Sequence, residues 1–373
     1  MGLTSEQDAH FMAQALALAE LARWHCPPNP AVGCVIVDGA GQVIGQGHTQ
    51  PVGQAHAEIV ALRDAAAQGR SVVGATAYVT LEPCSHQGRT GPCCDALAAA
   101  GVGRVVAALA DPNPRVAGQG IERLGAAGVQ VDVGVGAAAA REINLGFFSR
   151  MVRGTPWVRL KAASSLDGRT ALLNGASQWI TSAPAREDGQ RWRAQAGAVL
   201  TGIGTVLEDD PLMNVRVSGA TRQPLLAIID SRLQTPLEAR LWSVANREVV
   251  IYAAAQDDGR MRALEAKGAA VVVLPNPDGK VDLVKVMHDL GQREVNELHV
   301  EAGYKLNGSL LREQCVDELL LYQAPLLLGE GSGIAAIGPL SALAQGVALQ
   351  WHEVTQIGTD LRLIARLSGR TVF

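Results

Sequence analysis

A histidine, a glutamate and two cysteines carry the strongest chemical signal in this chain. His56-Ala57-Glu58 is followed by Pro83-Cys84 and then by Pro92-Cys93. One imidazole and two thiolates are three ligands of the kind that hold catalytic zinc, with the fourth position left to water. Water in that position loses a proton near neutral pH and becomes a nucleophile. Glu58 stands two residues after His56 at an expected helix start. From there its carboxylate reaches the water rather than the metal and can carry a proton to a leaving amine. The plain alternative is that each cysteine is a small buried apolar residue. A closed structural zinc site would want a fourth ligand. Cys94 is available, but adjacent residues seldom ligate together, so it reads as a spectator. A purely structural metal has no use for Glu58, and the constellation therefore reads as catalytic.

Zinc deaminases of bases use an H-x-E…P-C-x-x-C arrangement. Here the two cysteines are nine positions apart instead of three. The loop Ser85–Pro92 must bring Cys93 back beside Cys84.

The elements that must position these groups follow from the apolar pattern. In the first part, strands are expected at Ala31–Val37, Val43–Gln46, Ala75–Leu81, Arg104–Leu109 and Val129–Val133. Helices are expected at Leu3–Trp24 (capped at Ser5), His56–Gln68, Pro92–Ala100 and Gly120–Ala127. The alternation predicts helices packed on a sheet. Gly134–Ala140 is small and featureless, and Arg153-Gly154-Thr155-Pro156 follows. The break is expected near residues 146–156, giving domains of 1–150 and 151–373. Second-part strands are expected at Trp157–Ala162, Ala198–Gly202, Leu225–Ile229, Val249–Ala253, Ala270–Leu274, Glu297–Glu301, Leu319–Ala324 and Leu361–Leu367, again an α/β pattern.

Composition agrees with two domains and excludes several functions. The 373 residues are 48% hydrophobic and 18% charged, enough for substantial cores and unlike a disordered chain. A net charge of −4 rules out a broad polyanion-binding surface, but not a local basic site for one phosphate. Aromatics are 4%, too few for base-stacking platforms along a single strand. No apolar run reaches the roughly 18 residues of a membrane helix. The acidic N-terminus has no basic signal-peptide region. These features predict a soluble, cytoplasmic chain with no nucleic-acid or membrane partner.

Longer motifs add a family resemblance. Pro28-Asn29-Pro30-Ala31-Val32-Gly33, Gly45-Gln46-Gly47-His48, His56-Ala57-Glu58 and Glu82-Pro83-Cys84-Ser85-His86-Gln87-Gly88-Arg89-Thr90-Gly91-Pro92-Cys93-Cys94 resemble the deaminase half of the bifunctional riboflavin-biosynthesis deaminase/reductases. The resemblance continues through Arg159–Arg169, Ser177-Gln178-Trp179-Ile180-Thr181, Gly202-Ile203-Gly204-Thr205, Asp209-Asp210-Pro211 and Val300-Glu301-Ala302-Gly303. It implies a cytidine-deaminase-like three-layer α/β/α domain followed by a dihydrofolate-reductase-like α/β domain. It also implies two consecutive reactions. The first is deamination of a phosphoribosylamino-diaminopyrimidinone. The second is NADPH-dependent reduction of the ribosyl group to ribityl.

The resemblance implies one Zn2+ on His56, Cys84 and Cys93, with Glu58 as proton shuttle. Asn29 and His48 would line the substrate pocket, and Arg89 would meet the phosphate, which a guanidinium can grip in two places. In the second domain it places Ala163, Trp179, Thr205, Asp209, Ser231 and the turn Gly303, Tyr304, Lys305, Leu306, Asn307, Gly308 and Ser309 at NADP-binding positions. It places Ser177, Arg193, Met213, Arg216 and Glu301 at substrate-binding positions. Lys161 and Asp209 are candidates for the acid that supports reduction. Met213 stands where relatives more often have Leu, and Ala302 where many have a second Gly. The resemblance also implies a homo-oligomer, a dimer or tetramer.

The residues themselves argue against a dinucleotide fingerprint. Gly202-Ile203-Gly204-Thr205-Val206-Leu207 opens like one but has Leu207 where the third glycine belongs. Backbone N–H groups opening a helix near Asn307–Leu311 would suit a phosphate instead. Two other functions fit parts of the pattern: a deaminase of another base fused to a folate-type reductase, and a zinc-stapled binding module.

Overall fold

The computed structural model describes residues 4–85, 91–113, 117–220 and 222–373. It divides into two compact units, Met1–Arg153 and Gly154–Phe373.

The first unit contains α1 (Ser5–Ala22), β1 (Gly33–Val37), β2 (Val43–His48), α2 (Ala57–Ala67), β3 (Thr76–Val79), α3 (Cys93–Ala99), β4 (Arg104–Ala107), α4 (Gln119–Ala126), β5 (Gln130–Val133), α5 (Ala137–Ile143) and α6 (Leu145–Arg153). Its sheet runs β2-β1-β3-β4-β5. β1 is antiparallel to both neighbours, and β3, β4 and β5 are parallel. Phe11, Met12 and Ala15 of α1 close over Val35, Val37, Tyr78 and Val106 of the sheet. Below the rim of this core, Tyr78 donates to Asp8 at 2.6 Å, and Arg104 grips the same carboxylate with two N–H groups at 2.8 Å.

The second unit contains β6 (Trp157–Ser165), β7 (Ala171–Leu172), α7 (Ala183–Gln195), β8 (Ala198–Gly202), α8 (Ile203–Asp209), β9 (Leu225–Ile229), β10 (Val249–Ala253), α9 (Asp258–Glu265), β11 (Ala269–Val273), α10 (Leu283–Gln292), β12 (Glu297–Val300), α11 (Tyr304–Arg312), β13 (Glu318–Ala324), β14 (Gly331–Ser332), β15 (Leu349–Ile357) and β16 (Asp360–Leu367). Nine strands form one sheet in the order β11-β10-β9-β8-β12-β6-β13-β16-β15. The seven from β11 to β13 are parallel, and β16 and β15 are antiparallel. Parallel strands covered on both faces should read as continuous apolar runs. Val249–Ala253 is such a run, buried at every position.

Several expectations change. The first helix is capped by Thr4, not Ser5. Thr4 Oγ1 accepts from Gln7 N–H and Gln7 Oε1 accepts from Thr4 N–H, a reciprocal box that a cap at Ser5 could not make. The featureless stretch Gly134–Ala140 starts α5, because an alanine run is a strong helix former and Gly136 opens it. β15 was not anticipated. Most of its side chains are exposed on the sheet edge, so it carries no buried run. Among the described residues, no helix is long and apolar enough to cross a membrane.

Candidate active site

Strand direction gathers the deaminase candidates at one end of the sheet. Gly33 at the start of β1 pairs with His48 at the end of β2, and Thr80 beyond β3 donates its N–H to Gly33 O. Asn29 precedes β1, and Cys84 follows β3. All three therefore emerge on the same side. α2 begins there too, with His56 as its N-cap residue and Glu58 in its first turn. Cys93 opens α3 behind Pro92.

His56, Cys84 and Cys93 place one donor atom each within 4.8 Å of one another. The Nδ1–Sγ separations are 3.6 Å to Cys84 and 3.4 Å to Cys93. A tetrahedral zinc with Zn–S of about 2.3 Å and Zn–N of about 2.0–2.1 Å sets its N–S edges at roughly 3.6 Å. The donor set and its dimensions fit zinc. Accepting the Cys93 hydrogen bond pulls the Cys84 thiol below its ordinary range, and giving it pushes Cys93 up. Glu58 is 4% exposed. Burial, then the charge on Cys84, raises its carboxyl to about 7, into the range of a group that both takes and gives a proton.

The second unit brings its two glycine turns together. Glu301, after β12, donates its N–H to Leu200 O on β8. Gly202 consequently faces Leu306, whose Cδ2 lies 3.1 Å from where a Cβ would stand. Thr205 and Asp209 ride on α8, which follows β8 directly. Ser231 follows β9, and its Oγ accepts from Val281 N–H. Lys161 and Ala163 lie on β6. Ser231 and the Gly202 and Gly303 turns lie at the carboxyl ends of parallel strands, where open α/β sheets bind ligands, whereas Lys161 is mid-strand and Asp209 ends α8. Ser177 and Trp179 belong to an exposed segment. Trp179 is 70% exposed, with the Arg186 guanidinium 4.5 Å above its ring.

Three reductase expectations shift. The phosphate-facing helix opens at Gly303, not near Asn307. Gly303 is its N-cap and Asn307 N–H already donates to Gly303 O. The open N–H groups are therefore those of the first turn, from Tyr304 to Leu306. Asn307, Gly308 and Ser309 lie inside the helix. Asn307 donates to Ile334 O and Ser309 to Lys305 O. At Gly308 a Cβ would stand 2.3 Å from Ala336 O. Met213 is buried in the core with Leu226 and Leu241. Arg193 is not an open phosphate clamp in this structure. It gives two N–H groups to Glu301, at 2.7 and 2.8 Å, and a third to Asn214 O at 2.6 Å. Arg216 is exposed, with Nη1 on Asn214 Oδ1 at 3.2 Å. Arg89 lies outside the described residues.

The family model for the RibD C-terminal domain matches residues 156–363. The model for the cytidine and deoxycytidylate deaminase zinc-binding region matches residues 5–109. Riboflavin biosynthesis protein RibD of Escherichia coli K12 is 45% identical over 370 residues, covering 96% of this chain and 98% of its own. The chain belongs to the RibD family.

The RibD of Haemophilus influenzae is 42% identical over 374 residues, covering 96% of this chain and 97% of its own. Among solved structures, Acinetobacter baumannii RibD (form 1) superposes with a TM-score of 0.89 at 40% identity, covering 98% of this chain and 100% of that one. A Thermotoga maritima diaminohydroxyphosphoribosylaminopyrimidine deaminase/5-amino-6-(5-phosphoribosylamino)uracil reductase gives 0.87 at 28% identity, covering 97% and 99%. This RibD-family chain is a bifunctional riboflavin-biosynthesis enzyme, with a deaminase and a reductase activity and with Zn2+ and NADPH as cofactors. Both units are α/β, as the sequence pattern implies.

Sequence reasoning missed several residues around the RibD pocket loops. Asn144, between α5 and α6, donates to Ala31 O and accepts from Ala31 N–H, at 2.9 and 2.8 Å. Arg150 donates to Pro28 O. Together they hold the loop that carries Asn29. The His25 ring packs 5.3 Å from the His48 ring, and Gln50 Nε2 reaches His48 Nδ1 at 3.3 Å. No spacing rule links positions 31 and 144, so no local signal could have found that contact.

Proposed function

We propose that the first unit deaminates 2,5-diamino-6-(5-phosphoribosylamino)pyrimidin-4(3H)-one. The second unit then reduces the ribosyl group to give 5-amino-6-(5-phosphoribitylamino)uracil. The deaminase domain is residues 1–150 and the reductase domain 151–373 by the sequence reading, with the structural break three residues later, between Arg153 and Gly154 at the end of α6. The observation that carries the reading is the His56–Cys84–Cys93 cluster, with buried Glu58 beside it, in a chain similar to RibD over nearly its full length.

His56, Cys84 and Cys93 would hold the zinc. When bound, zinc supplies the Lewis acidity that makes water nucleophilic near neutral pH. Glu58 takes the water proton on its carboxylate and delivers it to the leaving amine. Asn29 and His48 orient the pyrimidinone, and Arg89 meets its phosphate.

In the second unit, NADPH supplies the hydride when bound. Ala163, Trp179, Thr205, Asp209, Ser231 and the Gly303–Ser309 segment would hold it. The first turn of α11 offers N–H groups and a positive helix end to its phosphates. Ser177, Arg216 and Glu301 face the substrate, with Lys161 or Asp209 as proton source. The chain works in the cytoplasm as a homodimer or homotetramer.

Purified protein given the phosphoribosylamino-pyrimidinone should release ammonia without NADPH. It should consume NADPH only after deamination. Turnover of cytidine instead would favour a deaminase of another base.

A further inference from the structure

We propose that Glu82 is a positioning residue of the deaminase metal centre: its carboxylate locks the Pro83-Cys84 segment to the start of α4. Glu82 is 3% exposed. Oε2 accepts from Asp111 N–H at 3.0 Å and Gly118 N–H at 2.9 Å. Oε1 accepts from Gly120 N–H at 2.8 Å and Ile121 N–H at 3.3 Å. No backbone group of the Cys84 segment is among these partners. The carboxylate reaches across to the segment after β4 and to the first turn of α4. There it satisfies N–H groups that a helix cannot satisfy itself.

The contact is close as well as polar. A Cβ on Gly120 would stand 2.0 Å from Pro83 O, so the helix docks directly on the peptide before Cys84. The other side of Cys84 is held by the same helix. Arg123 donates to Ser85 O at 2.5 Å and to Asp95 on α3 at 2.6 Å. Cys94 N–H donates to Cys84 O at 3.3 Å. Cys84 therefore lies between two anchors, both from α4, on a stretch outside any helix or strand. A thiolate ligand on such a stretch depends on these anchors for its place. Groups that orient ligands in this way typically account for roughly 10–100-fold in metal affinity.

The inference rests on Cys84 being a zinc ligand. Glu82→Gln tests it. The glutamine nitrogen would present donors to two N–H groups, while the side-chain volume stays the same. In the full-length variant, zinc affinity, read by chelator competition, should fall roughly 10–100-fold. The thiolate-to-metal absorption of the cobalt-substituted protein should shift, and reductase turnover should remain unchanged. Arg123→Ala removes the other anchor from a half-exposed position, and should weaken zinc roughly three- to tenfold, the worth of one hydrogen bond. Wild-type zinc affinity in Arg123→Ala, or in a folded Glu82→Gln, overturns the proposal even if thermal stability falls. Cys84→Ser separates the two readings. If it keeps zinc, or the wild-type chain binds none, the ligand assignment fails and this proposal goes with it.

Discussion

Replacing Glu301 by glutamine should weaken the reductase unit in a pH-dependent way. Glu301 and Arg193 form a two-bond ion pair whose side chains are 17% and 8% exposed. Removing one partner of a buried pair costs about 3–5 kcal/mol, because the other charge is left uncompensated. Glutamine keeps one carbonyl oxygen for Arg193, which favours the lower end, about 3 kcal/mol. In a unit of this size each kcal/mol moves Tm by roughly 2–4 °C, so the fall should be about 6–12 °C. Burial alone would raise the Glu301 carboxyl. The Arg193 charge and its two hydrogen bonds, with the His299 ring 3.4 Å from Oε1, outweigh it and hold the group well below the usual carboxylate range. A depressed folded-state pKa gives stability that is complete above the unfolded value, near 4.3, and is lost as pH falls through the folded one. The Tm gap between wild type and Glu301→Gln should be widest near neutrality and should narrow below about pH 4.5. Scanning calorimetry at pH 7 and at steps below 4.5 measures it. An absent gap, or one that stays constant across that range, would show that the pair does not stabilise the fold.

Glu58→Gln should keep its zinc, lose deamination by roughly 10²–10⁴-fold, and still reduce pre-deaminated substrate. Normal deamination would remove Glu58 from the proton path. Metal analysis should give about one zinc per chain, and removing the metal should abolish deamination while leaving reduction intact. Asn144→Ala leaves Ala31 N–H and O buried without partners, at about 1–3 kcal/mol each. Its deaminase KM should rise as the Asn29 loop loosens, with zinc content unchanged. Arg216→Ala should raise the reductase KM for the phosphorylated substrate roughly tenfold, the loss of one charged hydrogen bond, and spare the KM for NADPH.

What the sequence made legible follows the range of the interactions. His56, Glu58, Cys84 and Cys93 could be read as one site because their residue types are uncommon together and their order matches a known ligand pattern. The buried parallel strands could be read because each is a local apolar run. β15 escaped because an exposed edge has no such run. α5 escaped because a run of small residues looks like a linker until Asn144, at its C-terminal end, is seen holding Ala31. The start of α11 was misplaced because Gly303 caps it without a side chain. Glu82 passed as part of a motif, since its four partners lie between 29 and 39 residues away.

The arginines show why a list of charges is not yet a site. Arg193 and Arg216 enter as equal substrate-binding candidates from sequence, both cationic and both at positions the resemblance implies for substrate. In the fold their donors are spent differently. Arg193 is neutralised by Glu301, and a third N–H holds Asn214 O. Asn214 Oδ1 in turn receives Arg216, whose own backbone N–H is taken by Gln190. Met213 beside it sits at φ 50°, a left-handed conformation that a non-glycine residue holds only when its surroundings enforce it. Arg247 supplies part of that enforcement by donating to Leu212 O at 2.5 Å. The Glu301–Arg193 pair thus acts as a neutral strut under the Leu212–Arg216 loop, and Arg216 is the charge left open to a phosphate. Lysine substitution at the two arginines should therefore separate them. Arg193→Lys, which cannot keep the two-pronged grip on Glu301 and the bond to Asn214 together, should lower thermal stability as well as substrate affinity. Arg216→Lys should keep stability and most of the affinity. Equal effects of the two lysines on melting temperature would break the distinction between strut and clamp.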